Sequence, residues 1–266
     1  MAQLTIRCPG CHDAGLGELL TAKLTQDGGQ RSVCPNGHTL ALVVQNTRFD
    51  VLAEIACQAL LDGYYREAVV SFQASLERFF EFFVFVVADI RGISQEQCEL
   101  NWRILSKQSE RQLGAYSIAY LFHFGEGPKL LPNRMVSFRN RVVHQGYIPN
   151  EIEATNFGQA VIDINYGLLR NLSRTNLESV VHANRRDVTT QESFYCDGDI
   201  NVNAVWQLIY SYNIPGPPTF DLVKELSRRR QMHSLDWLFT INKFFYKKHL
   251  TILVILRTHS QLCNRL

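Results

Sequence analysis

The stretch YYREAVVSFQASLERFFEFFVFVVADI, residues 64–90, carries a long run of periodic apolar residues. These residues recur at spacings of three and four, which is the repeat of one helix face. The apolar stripe is wide enough to be buried against more than one neighbouring helix. Its members are Tyr65, Ala68, Val69, Phe72, Leu76, Phe79, Phe80, Phe83, Val86 and Val87. The pattern therefore predicts a long central helix in a mainly α-helical protein.

The same periodicity predicts shorter helices on both sides of this one. Glycine, proline and serine residues separate them, and Ser94 with Gln97 forms a helix-capping pattern. Pro132 falls in the first turn of one helix, and Asn150 precedes another as its N-cap. The predicted helices are 49–61, about 94–106, about 110–124, 130–144 and about 150–171. Short connections between helices favour an up-down bundle over residues 47–182.

Residues 1–46 contain four side chains with the spacing of metal ligands. Cys8-Pro9-Gly10-Cys11 and Cys34-Pro35-Asn36-Gly37-His38 each form a tight turn that presents two ligands. Three thiolates and one imidazole suit tetrahedral zinc, and all four positions are then filled by protein. We therefore expect a small β zinc ribbon with structural Zn²⁺ held by Cys8, Cys11, Cys34 and His38. Free thiols in a metal-free hairpin are the alternative.

Strands are predicted on either side of these turns, at 3–7 and 39–44, with a hairpin turn at Asp27-Gly28-Gly29.

At the other end of the chain, residues 183–203 are polar and without period, which is typical of a linker. Residues 183–266 form a basic C-terminal region whose fold the pattern does not reveal. From Lys224 onward, the sequence contains nine lysines and arginines and two acidic residues. Such a region is either a polyanion-binding surface or a solvated helix face.

Composition restricts the remaining possibilities. With 46% hydrophobic and 20% charged residues, the chain has the make-up of an ordinary globular protein. Its longest apolar runs, 79–90 and 250–256, are shorter than the roughly 20 residues that span a bilayer. Seven cysteines, three of them at ligand spacing, favour a reduced, cytoplasmic setting over a disulfide framework. Phosphate-binding loops, nucleophile elbows and His-Glu-x-x-His zinc sites are absent from the sequence.

The stretch Arg139-Asn140-Arg141-Val142-Val143-His144, followed by Gln145-Gly146-Tyr147-Ile148-Pro149, is the candidate active site. Asn140 and His144 are four residues apart and share a helix face, whereas Arg139 and His144 lie about 140° apart around the axis. Gly146 and Pro149 are typical helix-ending residues. A histidine at such a helix end can act as a general acid or base near neutral pH.

This stretch, Arg139-Asn140-x-x-x-His144 with Gly146 and Pro149, resembles the Arg-x(4–6)-His motif of the HEPN superfamily. Residues 59–68, ALLDGYYREA, are similar to the family's first helix pair. The resemblance covers roughly residues 50–175 and agrees with the helical fold. It implies a metal-independent endoribonuclease in which Arg139, Asn140 and His144 are catalytic, leaving 2′,3′-cyclic phosphate and 5′-hydroxyl ends.

The resemblance also implies a setting and a partner. HEPN domains are common in toxins, in abortive infection and in other antiviral defence, with RNA, possibly tRNA, as substrate. Family members commonly form the site at a two-fold interface, so a homodimer with a composite active site is expected. One protomer's Arg139 would then serve the other's His144, while Arg141 would add phosphate affinity. Glu77 is a possible partner of Arg139, although a structural or solvated carboxylate is the simpler interpretation.

Two other classes of function stay open at this point. In one, the bundle is a non-catalytic binding module, and the zinc ribbon acts as an adaptor for nucleic acid or protein. In the other, the chain is the antitoxin partner of a nucleotidyltransferase toxin. Each treats Arg139 as an exposed helix residue and His144 as a helix-terminal residue.

Overall fold

The computed structural model describes residues 3–13, 19–23, 29–44, 46–192, 200–204 and 219–234. The chain divides into two compact units. The described part of the first consists of residues up to 46 together with 186–192 and 200–204, and that of the second consists of 47–185 and 219–234. The predicted turn at Asp27-Gly28-Gly29 lies outside the described residues, except for Gly29.

The first unit is built from short strands around a one-turn helix. Its elements are β1 (Gln3–Arg7), α1 (Pro9–Asp13), β2 (Leu19–Lys23), β3 (Gly29–Val33), β4 (Thr39–Val44) and β5 (Ile200–Ala204). β1 pairs antiparallel with β2, and β4 pairs antiparallel with β3. β5 pairs parallel with β4, with Leu40 opposite Ile200. The strands predicted at 3–7 and 39–44 are confirmed.

The expectation of a linker over 183–203 is wrong for its described residues. Helix α8 (Leu177–Glu192) continues through the first half of this stretch, and β5 occupies its end. The sequence Ile200-Asn-Val-Asn-Ala204 alternates apolar and polar residues, but five residues give a weak signal. The hydrogen-bonding partner of this strand lies more than 150 residues earlier in the chain, beyond the reach of any local pattern.

The second unit is mainly helical, as the periodicity predicted. Its helices are α2 (Arg48–Leu61), α3 (Tyr65–Ile90), α4 (Gln95–Leu105), α5 (Ser109–Phe124), α6 (Asn133–His144), α7 (Glu151–Thr175), the first part of α8, and α9 (Leu222–Ser234). α3 is the central element, because α2, α4, α5, α6 and α7 all contact it. No helix within the described ranges has the length and apolar character needed to cross a membrane.

The core of this unit is formed by aromatic side chains of α3. Phe72, Phe79 and Phe83 are completely buried. Phe83 meets Tyr116 of α5 edge-on, with ring centroids 5.2 Å apart, and Phe79 meets Phe49 of α2 in the same way at 5.1 Å. Burying each such ring stabilises the fold by about 1.5–3 kcal/mol. The wide apolar stripe is therefore buried against several helices at once.

Local signals define most helix ends as expected. Ser94 Oγ accepts a hydrogen bond from the Gln97 amide at 3.4 Å, and Asn150 forms a complete capping box with Glu153. α6 starts at Asn133 rather than at Leu130, because Pro132 takes an extended N-cap conformation with ψ of 145°. A proline also disfavours helical geometry in the residue before it, which excludes the preceding turn.

Close packing at Gly158 of α7 gives a first prediction. A Cβ at this position would lie 2.5 Å from Phe72 Cε2 and 2.9 Å from Leu222 Cδ2. We expect Gly158→Ala to lower the free energy of unfolding by about 1–3 kcal/mol in urea denaturation, because the core is overpacked. Gly167→Ala on the same helix meets nothing within 4 Å and should raise stability by about 0.5–1 kcal/mol. Equal effects of the two substitutions would contradict this packing.

A buried carboxyl group lies at the start of α2. Asp50 is 5% exposed, and its Oδ2 accepts a hydrogen bond from the Thr47 hydroxyl at 2.8 Å. Its Oδ1 is buried and has no hydrogen-bond partner among the described residues. Burial, together with the nearby Glu54 carboxylate, raises the pKa of Asp50 from 3.8 to about 8. The folded state therefore keeps this group protonated near neutral pH.

The raised pKa of Asp50 makes stability depend on pH in a defined direction. The folded protein binds the proton more tightly than the unfolded chain, so this contribution is complete below about pH 4 and falls until about pH 8. The decrease can reach about 1.4 kcal/mol per pH unit. We expect Asp50→Asn to flatten the curve of unfolding free energy against pH over this window. An unchanged slope in Asp50→Asn would contradict this assignment.

Candidate functional site

The candidate metal centre is built by two turns of the first unit. Cys8 precedes α1 and Cys11 lies within it, so one helical turn separates them. Cys34 and His38 are joined by a turn in which the Gly37 amide donates to Cys34 O at 2.8 Å and the Cys34 amide donates to His38 O at 3.0 Å. Gly37 has a φ of +84°, a conformation that other residues rarely adopt.

Four ligand atoms converge at these turns, all within 4.8 Å of one another. The Sγ atoms of Cys11 and Cys34 lie 3.6 Å apart. His38 Nδ1 lies 3.7 Å from Cys8 Sγ and 3.4 Å from both Cys11 Sγ and Cys34 Sγ. Around tetrahedral zinc, with bonds of about 2.3 Å to sulfur and 2.0 Å to nitrogen, the S–S and S–N separations would be about 3.8 and 3.5 Å. The donor set therefore fits a zinc-sized ion, with Nδ1 as the imidazole ligand.

Nearby donors support the thiolates. Asn36 Nδ2 donates to Cys11 Sγ at 3.2 Å, and the His38 amide donates to Cys34 Sγ at 3.3 Å. Burial raises the pKa of Cys34, but hydrogen bonds from the His38 backbone and from Cys11 outweigh it and lower the pKa to about 6. The Asn36 hydrogen bond lowers the pKa of Cys11, whereas burial and the adjacent thiols raise it to about 11. Three sulfurs this close need a cation to be deprotonated together.

Gly10 has a role that the sequence did not indicate. A Cβ at this position would lie 3.0–3.1 Å from three atoms of the His38 ring. The missing side chain therefore lets the imidazole lie flat against α1. Cys8, Cys11, Cys34 and Leu40 form a buried cluster in this unit.

The metal centre gives a prediction about zinc content. We expect the purified protein to carry about one zinc ion per chain by plasma emission spectrometry. Cys34→Ser should reduce this content to near zero and expose the first unit to protease, because the ion would no longer cross-link the two turns. Cys98→Ser, which alters a cysteine of α4 outside the cluster, is the matched control. Unchanged zinc in Cys34→Ser would contradict the site.

The candidate active site lies at the C-terminal end of α6. Phe138 and Val142 of this helix are buried and attach it to the core. His144 is the last helical residue and is exposed, while Arg139 and Asn140 are half-buried. Gly146 follows with a φ of +70°, as its helix-ending position predicts. The end of the helix is thus where the sequence placed it.

The three predicted catalytic side chains are close in sequence, but within one chain they do not bond to one another. Arg139, Asn140 and His144 make no hydrogen bond to one another, and Glu77 accepts from Gln73 at 2.9 Å instead of from Arg139. Arg139 Nε is buried and lacks a hydrogen-bond partner in the described part of the chain. One helix therefore presents a cation and an imidazole in different directions.

The loop after α6 is held by contacts that sequence reasoning missed. Arg141 Cζ lies 4.4 Å from the centre of the Tyr147 ring, a cation–π contact. The Tyr147 hydroxyl donates to Glu153 Oε1 at 2.8 Å, and the Asn150 amide donates to Glu153 Oε2 at 3.0 Å. These hydrogen bonds, the Asn150 one first, lower the pKa of Glu153. The Asn-x-x-Glu pattern indicated the helix cap from sequence alone. No pattern indicated the hydrogen bond from Tyr147 to Glu153.

Two other features lie apart from the motif. A cavity of about 470 Å³ opens between α6 and α7, and its lining includes Arg134 and Phe138 but no predicted catalytic residue.

In α9, Arg229 pairs with Glu54 and Glu225, and Arg230 pairs with Glu151. These arginines attach α9 to α2 and α7, so their charge is partly neutralised within the chain.

No protein-family model, curated protein or solved structure matches this chain. The resemblance to HEPN domains therefore depends on the motif residues and on the stretch 59–68. What the structure adds is their placement on α6.

Proposed function

We propose that this protein is a metal-independent endoribonuclease whose active site contains Arg139, Asn140 and His144. The observation that carries the proposal is the position of His144. Its imidazole is exposed at the end of α6 and makes no hydrogen bond to a described residue, so both ring nitrogens are available to a substrate. The loop that follows is fixed through Tyr147 and Glu153, so the backbone that carries His144 is held in place.

The chemistry follows from these groups. The 2′-hydroxyl of RNA attacks the adjacent phosphorus and loses its proton, the bond to the 5′ oxygen breaks, and that oxygen takes up a proton. His144 serves as the proton shuttle, and the Arg139 guanidinium stabilises the charge that builds on the phosphorane oxygens. Asn140, which shares the face of His144, orients the imidazole or a phosphate oxygen. The products carry 2′,3′-cyclic phosphate and 5′-hydroxyl ends.

A two-chain site accounts for the divergence of the two key side chains. Arg139 and His144 leave the helix about 140° apart and do not meet within one chain. In a homodimer, Arg139 of one protomer serves His144 of the other.

Zinc has a structural role in this proposal. Cys8, Cys11, Cys34 and His38 would hold it, and the bound ion would cross-link the two turns that carry them. Four protein ligands leave no open position for a substrate or an activated water. The biological setting that we propose is growth arrest or phage defence by cleavage of cellular RNA.

The decisive experiment is RNA cleavage in excess EDTA with analysis of product ends. We expect wild-type protein to leave cyclic phosphate ends on total RNA or tRNA, and His144→Ala to lose at least 100-fold in rate, in the range of general acid–base catalysis. His182→Ala is the control, because it removes an exposed histidine that pairs with Asp89 at 3.3 Å away from the motif. Zinc content should be equal in all three proteins.

A mixing experiment tests the two-chain site. Arg139→Ala and His144→Ala should each be inactive, whereas a mixture re-equilibrated through monomers should regain activity from heterodimers that hold one intact site. If the mixture stays inactive while wild type cleaves, the site belongs to one chain. If wild type does not cleave, the binding-module or antitoxin interpretation gains support instead.

A further inference from the structure

The cavity between α6 and α7 is large enough to hold a small molecule. Its volume is about 470 Å³, and ligand pockets range from roughly 300 to 1,000 Å³. Its described lining comes from α6 and α7, both in the second unit. The two helices are anchored in the core beside it, because Phe138 and Phe157 are buried with ring centroids 5.9 Å apart. The walls of the cavity are therefore helices held in place by packing.

Part of the lining is apolar. Met135 and Phe138 of α6 and Ala160 of α7 contribute it. Phe138 is 8% exposed, and the other two residues are half-buried. Ligand sites usually combine such an apolar wall with a few polar groups that orient the ligand. The apolar part of this cavity suits the methylene groups of an aliphatic chain.

The charged residues of the lining lie toward its two ends. Glu153 and Asp163 are ten residues apart on α7, about 15 Å along the axis. Phe138, six residues before the end of α6, contacts Phe157, six residues after the start of α7. This contact and the short connecting loop indicate an antiparallel pair. Arg134, one turn further from that loop than Phe138, therefore lies toward the Asp163 end.

Glu153 is a fixed carboxylate at one end of the cavity. The Tyr147 hydroxyl lies 2.8 and 3.0 Å from its two oxygens, and the Asn150 amide donates to Oε2 at 3.0 Å. These hydrogen bonds, the Asn150 one first, lower the pKa of Glu153, so the group is ionised at neutral pH. A carboxylate has about four acceptor positions, which leaves room for one further donor.

The other end of the cavity carries both signs of charge. Asp163 Oδ1 accepts a hydrogen bond from Gln159 Nε2 at 2.8 Å. Gln159 is itself held by the Leu222 amide, which donates to its Oε1 at 2.8 Å. Arg134 and Asp163 are exposed, and neither forms an ion pair with a described residue. A guanidinium and a carboxylate are thus both available to a ligand at this end.

The charges of the lining select one kind of ligand. One cation and two anions are complementary to a molecule with one anion and two cations. A basic amino acid has this set: its α-carboxylate meets Arg134, its α-ammonium meets Asp163, and its terminal cation meets Glu153 at the far end. Its methylene groups then lie against Met135 and Phe138. A diamine would leave Arg134 without an anion, and a nucleotide would place its phosphate beside two carboxylates.

We propose that the cavity between α6 and α7 is a binding site for a free basic amino acid, arginine or lysine. Arg134 recognises the α-carboxylate, Asp163 the α-ammonium and Glu153 the charged end of the side chain. Ion pairs that form in a half-buried cavity against an apolar wall are stronger than those on an open surface. The inference concerns ligand binding and does not depend on RNA cleavage.

The test is calorimetric titration of the full chain with L-arginine. We expect about one L-arginine per chain with a dissociation constant below about 1 mM. Arg134→Gln should weaken binding at least about 10-fold, because a charge-assisted contact to the carboxylate is lost. Arg103→Gln, which alters an exposed arginine of α4 outside the cavity, is the matched control and should bind like wild type. Circular dichroism checks that each variant is folded.

Ligand analogues test each contact separately. Agmatine lacks the α-carboxylate, so it should bind wild type at least about 10-fold more weakly than L-arginine and should not be weakened further by Arg134→Gln. Citrulline has a neutral side-chain end, so Glu153→Gln should remove the preference for L-arginine over citrulline. Glutamine at this position still completes the helix-capping box. N-acetyl-arginine, which lacks the α-ammonium, represents a C-terminal arginine of a peptide and should bind weakly.

The proposal is overturned if wild type does not bind L-arginine at about 10 mM, or if Arg103→Gln loses as much affinity as Arg134→Gln. It is also overturned if agmatine or citrulline binds wild type as tightly as L-arginine, because the cavity would then not recognise the charge in question. If N-acetyl-arginine binds equally well, the ligand is a peptide end and not a free amino acid. Because the readout is amino-acid binding, these outcomes are distinct from a loss of cleavage in His144→Ala.

Discussion

The burial of α3 is the constraint on which the helical unit depends. Phe72, Phe79 and Phe83 contribute large apolar surfaces that leave water only if other helices cover them from several directions. α2, α5, α6 and α7 supply that cover, and each is positioned by its contact with α3. The location of the candidate active site follows, because Phe138 and Val142 hold α6 against this core and leave His144 outside it.

The first unit is stabilised in a different way. Three of its buried side chains, Cys8, Cys11 and Cys34, are candidate metal ligands. An ion bound there would cross-link the two turns that carry them. Gly10 and Gly37 permit the arrangement, one by leaving room for the His38 ring and the other by adopting a positive φ. Metal binding would therefore stabilise the folded state of this unit.

The candidate active site combines a fixed backbone with divergent side chains. Tyr147, Arg141 and Glu153 hold the residues after α6, so the position of His144 does not depend on a loose loop. Arg139 leaves the helix on another side with a buried donor that finds no acceptor in the described chain. In the proposed ribonuclease, a second copy of the chain would bring the two side chains together.

The sequence by itself determined the elements whose causes are local. Apolar spacing placed α2 to α7 to within a few residues, Gly146 ended α6, and the two cysteine-containing turns predicted the ligand cluster, because each signal depends on neighbours within a few positions. Tertiary structure alone decided the pairing of β5 with β4 and the Arg229–Glu54 contact between α9 and α2. These features depend on which segments meet in space, and segments more than 100 residues apart leave no shared local pattern to read.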